Sequence, residues 1–529
     1  MLFLLLQIAQ SPTNVPADTS PPPHDALHYD ITLIPSDTGT HVLGEVQTTW
    51  RLGSPAPVTM RLDSAMRVIR VLVDGKPNTR ISRTMYARSS TEVEIPHQKR
   101  AGDSISTRVR YRGRPRDGLI IGENSYGERT IFADNWPDRA HLWFPTPDIP
   151  GDKATVSFHV EAPLGDQVIA NGALEKVDTL PYGHAVWHYN LSTPVPVYTM
   201  VVGVGRLART PLPQAACAVK CVPVAVWAYP RDSLYAAATF RRAGEMLQYF
   251  SALLGPFPFA SLAHVESSTR YGGMENASAI FYDQKLYQER KLGEALIAHE
   301  TAHQWFGDAV TAREWSHLWL SEGFASYLAT LWIGHTAGDS ALRTRMRSAA
   351  EKIFGSAATE RPVIDTTTSE LTELLNSNSY QKGAWALHQL RGIVGDSVLF
   401  GSLRRYYAVY RDSTALTADF ARLVSEAAGR DLDWYFAQTL TQPGYPVLDV
   451  RWKHENRQLI VEVAQTQKPE WGTYRIPGLD LLIDGKRVRM DVEGRRTRKV
   501  VEGFNRRPRQ IEVDPDGWWL LKATVRGEK

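Results

Sequence analysis

From Ala26 to about Thr210 the chain alternates apolar and polar residues in short runs broken by turn residues, as in Val71-Leu72-Val73 before Asp74-Gly75. A period of two puts the apolar set on one face of a half-buried strand, and Asp-Gly suits a tight hairpin, so the region is predicted to be all-β. A strand-like run near 211–230 leads into a helical pattern over 233–254, closed by Gly255 and Pro256. Helical spacing then dominates to about Leu440. After Gln442-Pro443-Gly444-Tyr445-Pro446 the alternation returns, with Leu459 to Val463 and with Leu481-Leu482-Ile483 before Asp484-Gly485. That predicts a small C-terminal β-sandwich of seven or so strands. The expected fold class is therefore multidomain α+β: a segment 1–24, an N-terminal antiparallel β domain over 25–210, a mainly helical domain over 211–442 and a β-sandwich over 443–529.

A chain of 529 residues is long enough to bury several cores. Its 60 basic and 57 acidic residues leave a net charge of +3, which gives no reason to expect nucleic acid or an anionic membrane as a partner. The basic run Arg495, Arg496, Arg498 and Lys499 reads as a solvated strand or turn. Met1 to Ala9 reads MLFLLLQIA, too short to span a bilayer, and a polar, proline-rich stretch follows to Pro23. It is either a signal peptide, which predicts export, or an apolar start to a flexible arm in a cytoplasmic protein, and export is favoured. Cys217 and Cys221 are the only cysteines; they suit a disulfide in an exported chain and thiols in the cytosol.

The helical region carries the chemistry. In His299-Glu300-Thr301-Ala302-His303 the two histidines are four apart, one above the other on a helix, so both imidazoles can reach a single ion. Leu292 to Phe306 supplies the helical pattern, and Leu318 to Ile333 a second one with Glu322 in its first turns. A lone histidine on an apolar helix face is more often core than ligand, but a catalytic zinc typically takes three protein ligands, and Glu322 is the natural third. Glu300 lies about 100° round the helix, beside the metal, placed to take a proton from water there. The constellation predicts a zinc hydrolase with one Zn2+ per chain.

Gly272-Gly273-Met274-Glu275-Asn276 precedes this motif and Tyr380-Gln381-Lys382-Gly383 follows it. Together with the spacing to Glu322, these segments resemble the M1 family of zinc aminopeptidases, of gluzincin type. Phe144 to Pro150, Ala170-Asn171-Gly172, Pro194 to Gly203 and Gln442 to Pro446 extend the likeness over most of the chain. The resemblance implies an N-terminal β domain, a thermolysin-like catalytic domain and a β-sandwich, without the large helical domain of many members. It also implies hydrolysis of the first bond of peptides with a free N-terminus. Glu275 would hold the α-amino group and Tyr380 would donate to the oxyanion. Gly272, Gly273, Met274 and Asn276 would line the substrate, which would lie along this loop as an added strand.

There are two departures from the family pattern. Asp134-Asn135-Trp136-Pro137 stands where a second amine-binding Gln or Glu is common, leaving Asn135 as a weak candidate, and Ser321 replaces an Asn before Glu322. The alternatives are a thermolysin-like endopeptidase, which needs no free amine, and a non-catalytic peptide-binding homologue.

Overall fold

The computed structural model describes residues 23–85, 90–213 and 221–528. Cys217 lies outside the described residues, as does the apolar Met1 to Ala9 run, so the expectations of a disulfide and of a signal peptide fall outside them too. The chain divides into two compact units, one of residues up to Arg206 with Thr366–Leu375, the other of Leu207–Asp365 with Asn376–Lys529.

The first unit is built on an eight-stranded sheet in the order Ala173–Thr179, His184–Pro196, Lys153–Pro163, His24–Pro35, Val42–Leu52, Ser104–Gly113, Met66–Val73, Lys76–Pro77. Alternation does what the pattern requires: Tyr29, Ile31, Leu33, Val46, Trp50, Val109, Val156 and Phe158 are all buried on one face. Their neighbours Asp30, Gln47, Arg108 and His159 are not buried. The pairing is antiparallel except between His24–Pro35 and Lys153–Pro163, which run parallel in register from His28 opposite Thr155 to Leu33 opposite Val160. Asp74 and Gly75, with φ of 47° and 77°, make the expected hairpin turn.

In the second unit a five-stranded sheet has the order Ala208–Pro211, Val224–Ala228, Leu262–Ser267, Ala279–Asp283, Gly273–Met274. Its three central strands are parallel, and the two-residue strand Gly273–Met274 is antiparallel and at the edge. Helices enclose a core that includes Trp305, Trp319, Phe324, Tyr327, Trp332 and Phe420. The helix expected over 233–254 is two helices, Ser233–Thr239 and Ala243–Leu254. Phe240 leaves helical geometry (φ −88°, ψ 4°) and is fully buried against His264, Tyr282 and Tyr287, so tertiary burial overrides a continuous helical pattern.

The C-terminal strands form a four-stranded sheet, Arg496–Glu502, Gln458–Gln465, Val447–Glu455 and Lys522–Gly527, and a three-stranded one, Lys486–Val492, Ile476–Ile483 and Ile511–Val513. Val450, Val461, Val463, Leu479, Leu481 and Ile483 form their shared core. The basic run lies on a surface strand, where Arg496 pairs with Glu462.

Candidate active site

Two helices carry the three ligand candidates. Glu294–His303 presents His299 and His303 one turn apart, and Trp319–Ala337 presents Glu322 in its first turn. His299 Nε2 and His303 Nε2 are 3.0 Å apart, and Glu322 Oε2 lies 3.2 Å from the first and 3.3 Å from the second. A tetrahedral ion with bonds of about 2.0–2.1 Å has ligand atoms about 3.3–3.4 Å apart, so these atoms occupy three corners of such a site and leave the fourth open. His303 Nδ1 is 3.1 Å from the Phe306 carbonyl, which can only accept, so Nδ1 carries the hydrogen and Nε2 offers its lone pair to the centre. Ser321 Oγ lies 3.0 Å from the same Nδ1, so the serine before Glu322 still supports a ligand ring.

The centre attracts a cation. Burial favours neutral Glu322, yet His303 and His299 hold its carboxyl down to about 2. Burial would likewise lower His303, but Glu322, Glu275 and Glu300 push it up to about 10. Three carboxyl groups around two imidazoles thus make the centre one that draws positive charge.

Glu300 follows His299 and is buried, with burial and the neighbouring Glu275 and Glu322 raising its pKa well above the usual range against His303. Gly273 backs it so closely that a Cβ there would lie 2.3 Å from Glu300 Oε1, so only glycine fits. Glu275, Glu300 and His303 each offer an atom within 4.8 Å of the others. Burial and Glu322, partly offset by His303, push Glu275 up to about 7. Gln304 ties this loop to the ligand helix: its Nε2 donates to the Glu275 carbonyl (2.7 Å) and its Oε1 accepts from the Ser278 N–H (2.8 Å). Gly272 and Gly273 are half-buried, Met274 is core, and the Asn276 carboxamide is fully buried with no hydrogen bond among the described residues.

Tyr380 sits in the π-helical segment Asn378–Lys382 that opens the helix Gly383–Val394. Its ring is nearly parallel to that of His299, 5.9 Å away at 17°. Burial and the site's carboxylates raise the phenol well above its ordinary pKa, keeping it a donor. Two contacts aim the segment. Gly323 and Gly383 touch where their helices cross, a Cβ on Gly323 lying 2.8 Å from Gly383 Cα. Asn378 Nδ2 donates to the carbonyls of Ala358 (2.6 Å) and Arg361 (2.9 Å).

Asn135 belongs to the first unit, where its amide donates to the Met200 carbonyl (2.6 Å) and accepts from Trp143 Nε1 (2.8 Å). Its polar atoms are committed to holding that unit together. Sequence reasoning gave Gln304 and Gly323 no role, and Gly383 entered only as the end of Tyr380-Gln381-Lys382-Gly383, because no spacing rule marks a helix crossing or a loop clamp.

Residues 239–439 match the model of the peptidase family M1 domain. A probable aminopeptidase 1 of Sulfurisphaera tokodaii is 25% identical over 65% of this chain and 45% of its own length. The glutamyl aminopeptidase of Homo sapiens is 26% identical over 63% of this chain and 37% of its own. The chain thus spans less than half the length of these curated relatives. A crystal structure of an M1 zinc metallopeptidase from Deinococcus radiodurans superposes with a TM-score of 0.68 and 26% identity, covering 80% of this chain and 95% of that one. A mutant of that enzyme bound to a Tyr-Ser-Ala substrate gives a TM-score of 0.69 at 25% identity, over 79% of this chain and 94% of the other. The domain of residues 239–439, which carries both helices of the site, is thus similar to the peptidase family M1 domain, and the likeness in fold extends over nearly the whole of a zinc metallopeptidase of that family.

Proposed function

We propose that the protein is an aminopeptidase that removes single residues from peptides with a free N-terminus. The observation that carries this is Glu275: a buried carboxylate beside Glu300 and His303, whose charged neighbours are His303 and Glu322 rather than a lysine or arginine. A buried carboxylate with no lysine or arginine among these neighbours, in a poorly hydrated site, has strong affinity for an ammonium group. His299, His303 and Glu322 would hold the zinc, which supplies Lewis-acid polarisation of the scissile carbonyl and of the attacking water. Glu300 then takes the water's proton and returns it to the leaving amine. Tyr380 donates to the oxygen on which negative charge develops. Gly273–Met274 is the last strand of its sheet among the described residues, and the substrate backbone would pair with it as a further strand, with Gly272 and Gly273 admitting it closely.

The test compares an aminoacyl fluorogenic amide with its N-acetylated form, each with and without a chelator. Cleavage of the free amine alone, abolished by chelation, is expected. Equal cleavage of both would assign the endopeptidase reading, and cleavage of neither by zinc-replete protein the non-catalytic one. No helix among the described residues is long and apolar enough to cross a membrane. Export rests on Met1 to Ala9 and is tested by sequencing the N-terminus of the protein recovered from a secreting host.

A further inference from the structure

Two residues after Tyr380 stands a buried ionisable side chain that the catalytic proposal does not use. Lys382 closes the segment Asn378–Lys382 and is 2% exposed. Among the described residues its ammonium makes one hydrogen bond, to the Gln442 carbonyl at 3.3 Å, and no carboxylate pairs with it. A lysine ammonium has three hydrogens to give, so one long bond leaves two unspent. A charge taken out of water is costly unless an opposite charge or a full set of hydrogen bonds answers it. Beside Lys382 is a cavity of about 20 Å³, lined also by residues of Gly383–Val394, Ala437–Thr441 and Ile476–Ile483, with room for one occupant of water size. Lys382 is the only charged residue lining it among the described residues. The other polar groups there are committed. Gln438 accepts from the Arg475 N–H and donates to its carbonyl, both at 2.9 Å, and Gln389 Oε1 accepts from the Leu520 N–H at 2.7 Å. The Tyr474 hydroxyl donates to the Pro443 carbonyl at 2.7 Å.

We propose that this cavity is a binding site for a single halide ion held by the Lys382 ammonium. A monoatomic anion matches the space and supplies the missing charge, whereas a carboxylate or phosphate needs more room and further donors of the kind an arginine fork provides. A water would take one hydrogen and leave the charge unanswered, and a neutral lysine would call for no occupant; both are outcomes of the test. The other titratable groups on the lining are the phenols of Tyr445 and Tyr474, and burial pushes Tyr474 up, so it stays uncharged. Lys522 lies 5.5 Å from the Tyr445 ring and adds positive charge on that side. A bound halide would bridge the segment that carries Tyr380 and the strand Ile476–Ile483, stabilising their contact by mass action.

The experiment uses the full chain and reads stability, so its outcome is independent of the aminopeptidase reading. At pH 6 and matched ionic strength, Tm should be higher in sodium chloride or bromide than in sodium gluconate. Burial lowers Lys382 to about 7 and only the ammonium binds, so the apparent halide affinity should fall about tenfold per pH unit above that value. Lys382→Met keeps the length of the side chain without its charge and should abolish the halide increment. Crystals grown in bromide should show an anomalous peak in the cavity, which decides the matter if the variant fails to fold. Equal Tm in halide and gluconate, an undiminished increment in Lys382→Met, or a cavity without anomalous signal would overturn the proposal.

Discussion

At the scale of single residues, the division of labour around the metal can be separated by experiment. Glu300→Gln removes the proposed base but neither a proposed ligand nor volume, so zinc stoichiometry by elemental analysis should be unchanged while kcat falls by at least about 10²-fold, the low end for a lost general base. Near-normal turnover in a zinc-replete variant would end the assignment. Tyr380→Phe should lower kcat roughly 10²- to 10³-fold with little change in KM, since in the proposed mechanism its hydroxyl acts only once charge develops on the substrate oxygen. A rise confined to KM would make Tyr380 a ground-state contact. The stacking of Tyr380 near His299 makes the second experiment informative, since the ring stays and only the donor is lost.

At the scale of elements, the crossing of Trp319–Ala337 with Gly383–Val394 depends on Gly323 and Gly383. Gly323→Ala forces a methyl group against backbone rather than against a yielding side chain. A destabilisation of about 1–3 kcal/mol, typical of overpacking, is expected from chemical denaturation. The loss in kcat should exceed that of a comparably destabilised variant remote from the site, because Tyr380 rides on the displaced segment. Equal losses would detach the crossing from catalysis. This contact also shows where sequence reading stops. The two ligand helices were legible because a four-residue step is a property of one helix: Leu292 to Phe306 brackets the observed Glu294–His303, and Leu318 to Ile333 covers all but the last turn of Trp319–Ala337. Alternation likewise made the large sheet and the C-terminal sheets legible, down to the Asp74-Gly75 turn, whereas Leu262–Ser267 and Ala279–Asp283, buried parallel strands without alternation, lie in the region read as helical. Gln304 clamping Glu275, Ser321 reaching His303 and the Gly323–Gly383 approach each join residues distant in sequence, and a distance across the fold leaves no period to read. Phe240 shows the converse: the helical pattern was real, and burial against three aromatic rings interrupted it.

At the scale of the whole molecule, buried titratable groups outside the catalytic site predict how stability varies with pH. Glu266 is fully buried; burial, eased by the Tyr229 N–H but reinforced by Asp232, pushes its carboxyl up to about 9. In the first unit, burial and Asp25 push Asp152 up to about 8. Each folded value is raised, so the stability each group contributes is complete below its ordinary carboxyl range and is lost as pH rises through the folded value. In that window the folded protein holds a proton the unfolded chain has released, a slope of about −1.4 kcal/mol per pH unit per group. Lys382 works in the opposite sense: burial lowers it to about 7, so its contribution is complete above the ordinary lysine range and is lost as pH falls through 7. From pH 5 to 7 the two acids act together and Tm should fall steadily. From 8 to 9 Glu266 and Lys382 oppose one another and the curve should flatten. Glu266→Gln keeps the shape of the side chain but cannot ionise, so its Tm should decline less than the wild type between pH 5 and 9. Lys382→Met should steepen the decline above pH 7. Calorimetric scans at half-unit intervals distinguish these slopes, and parallel curves for wild type and Glu266→Gln would show that the buried carboxyl does not set the alkaline limit.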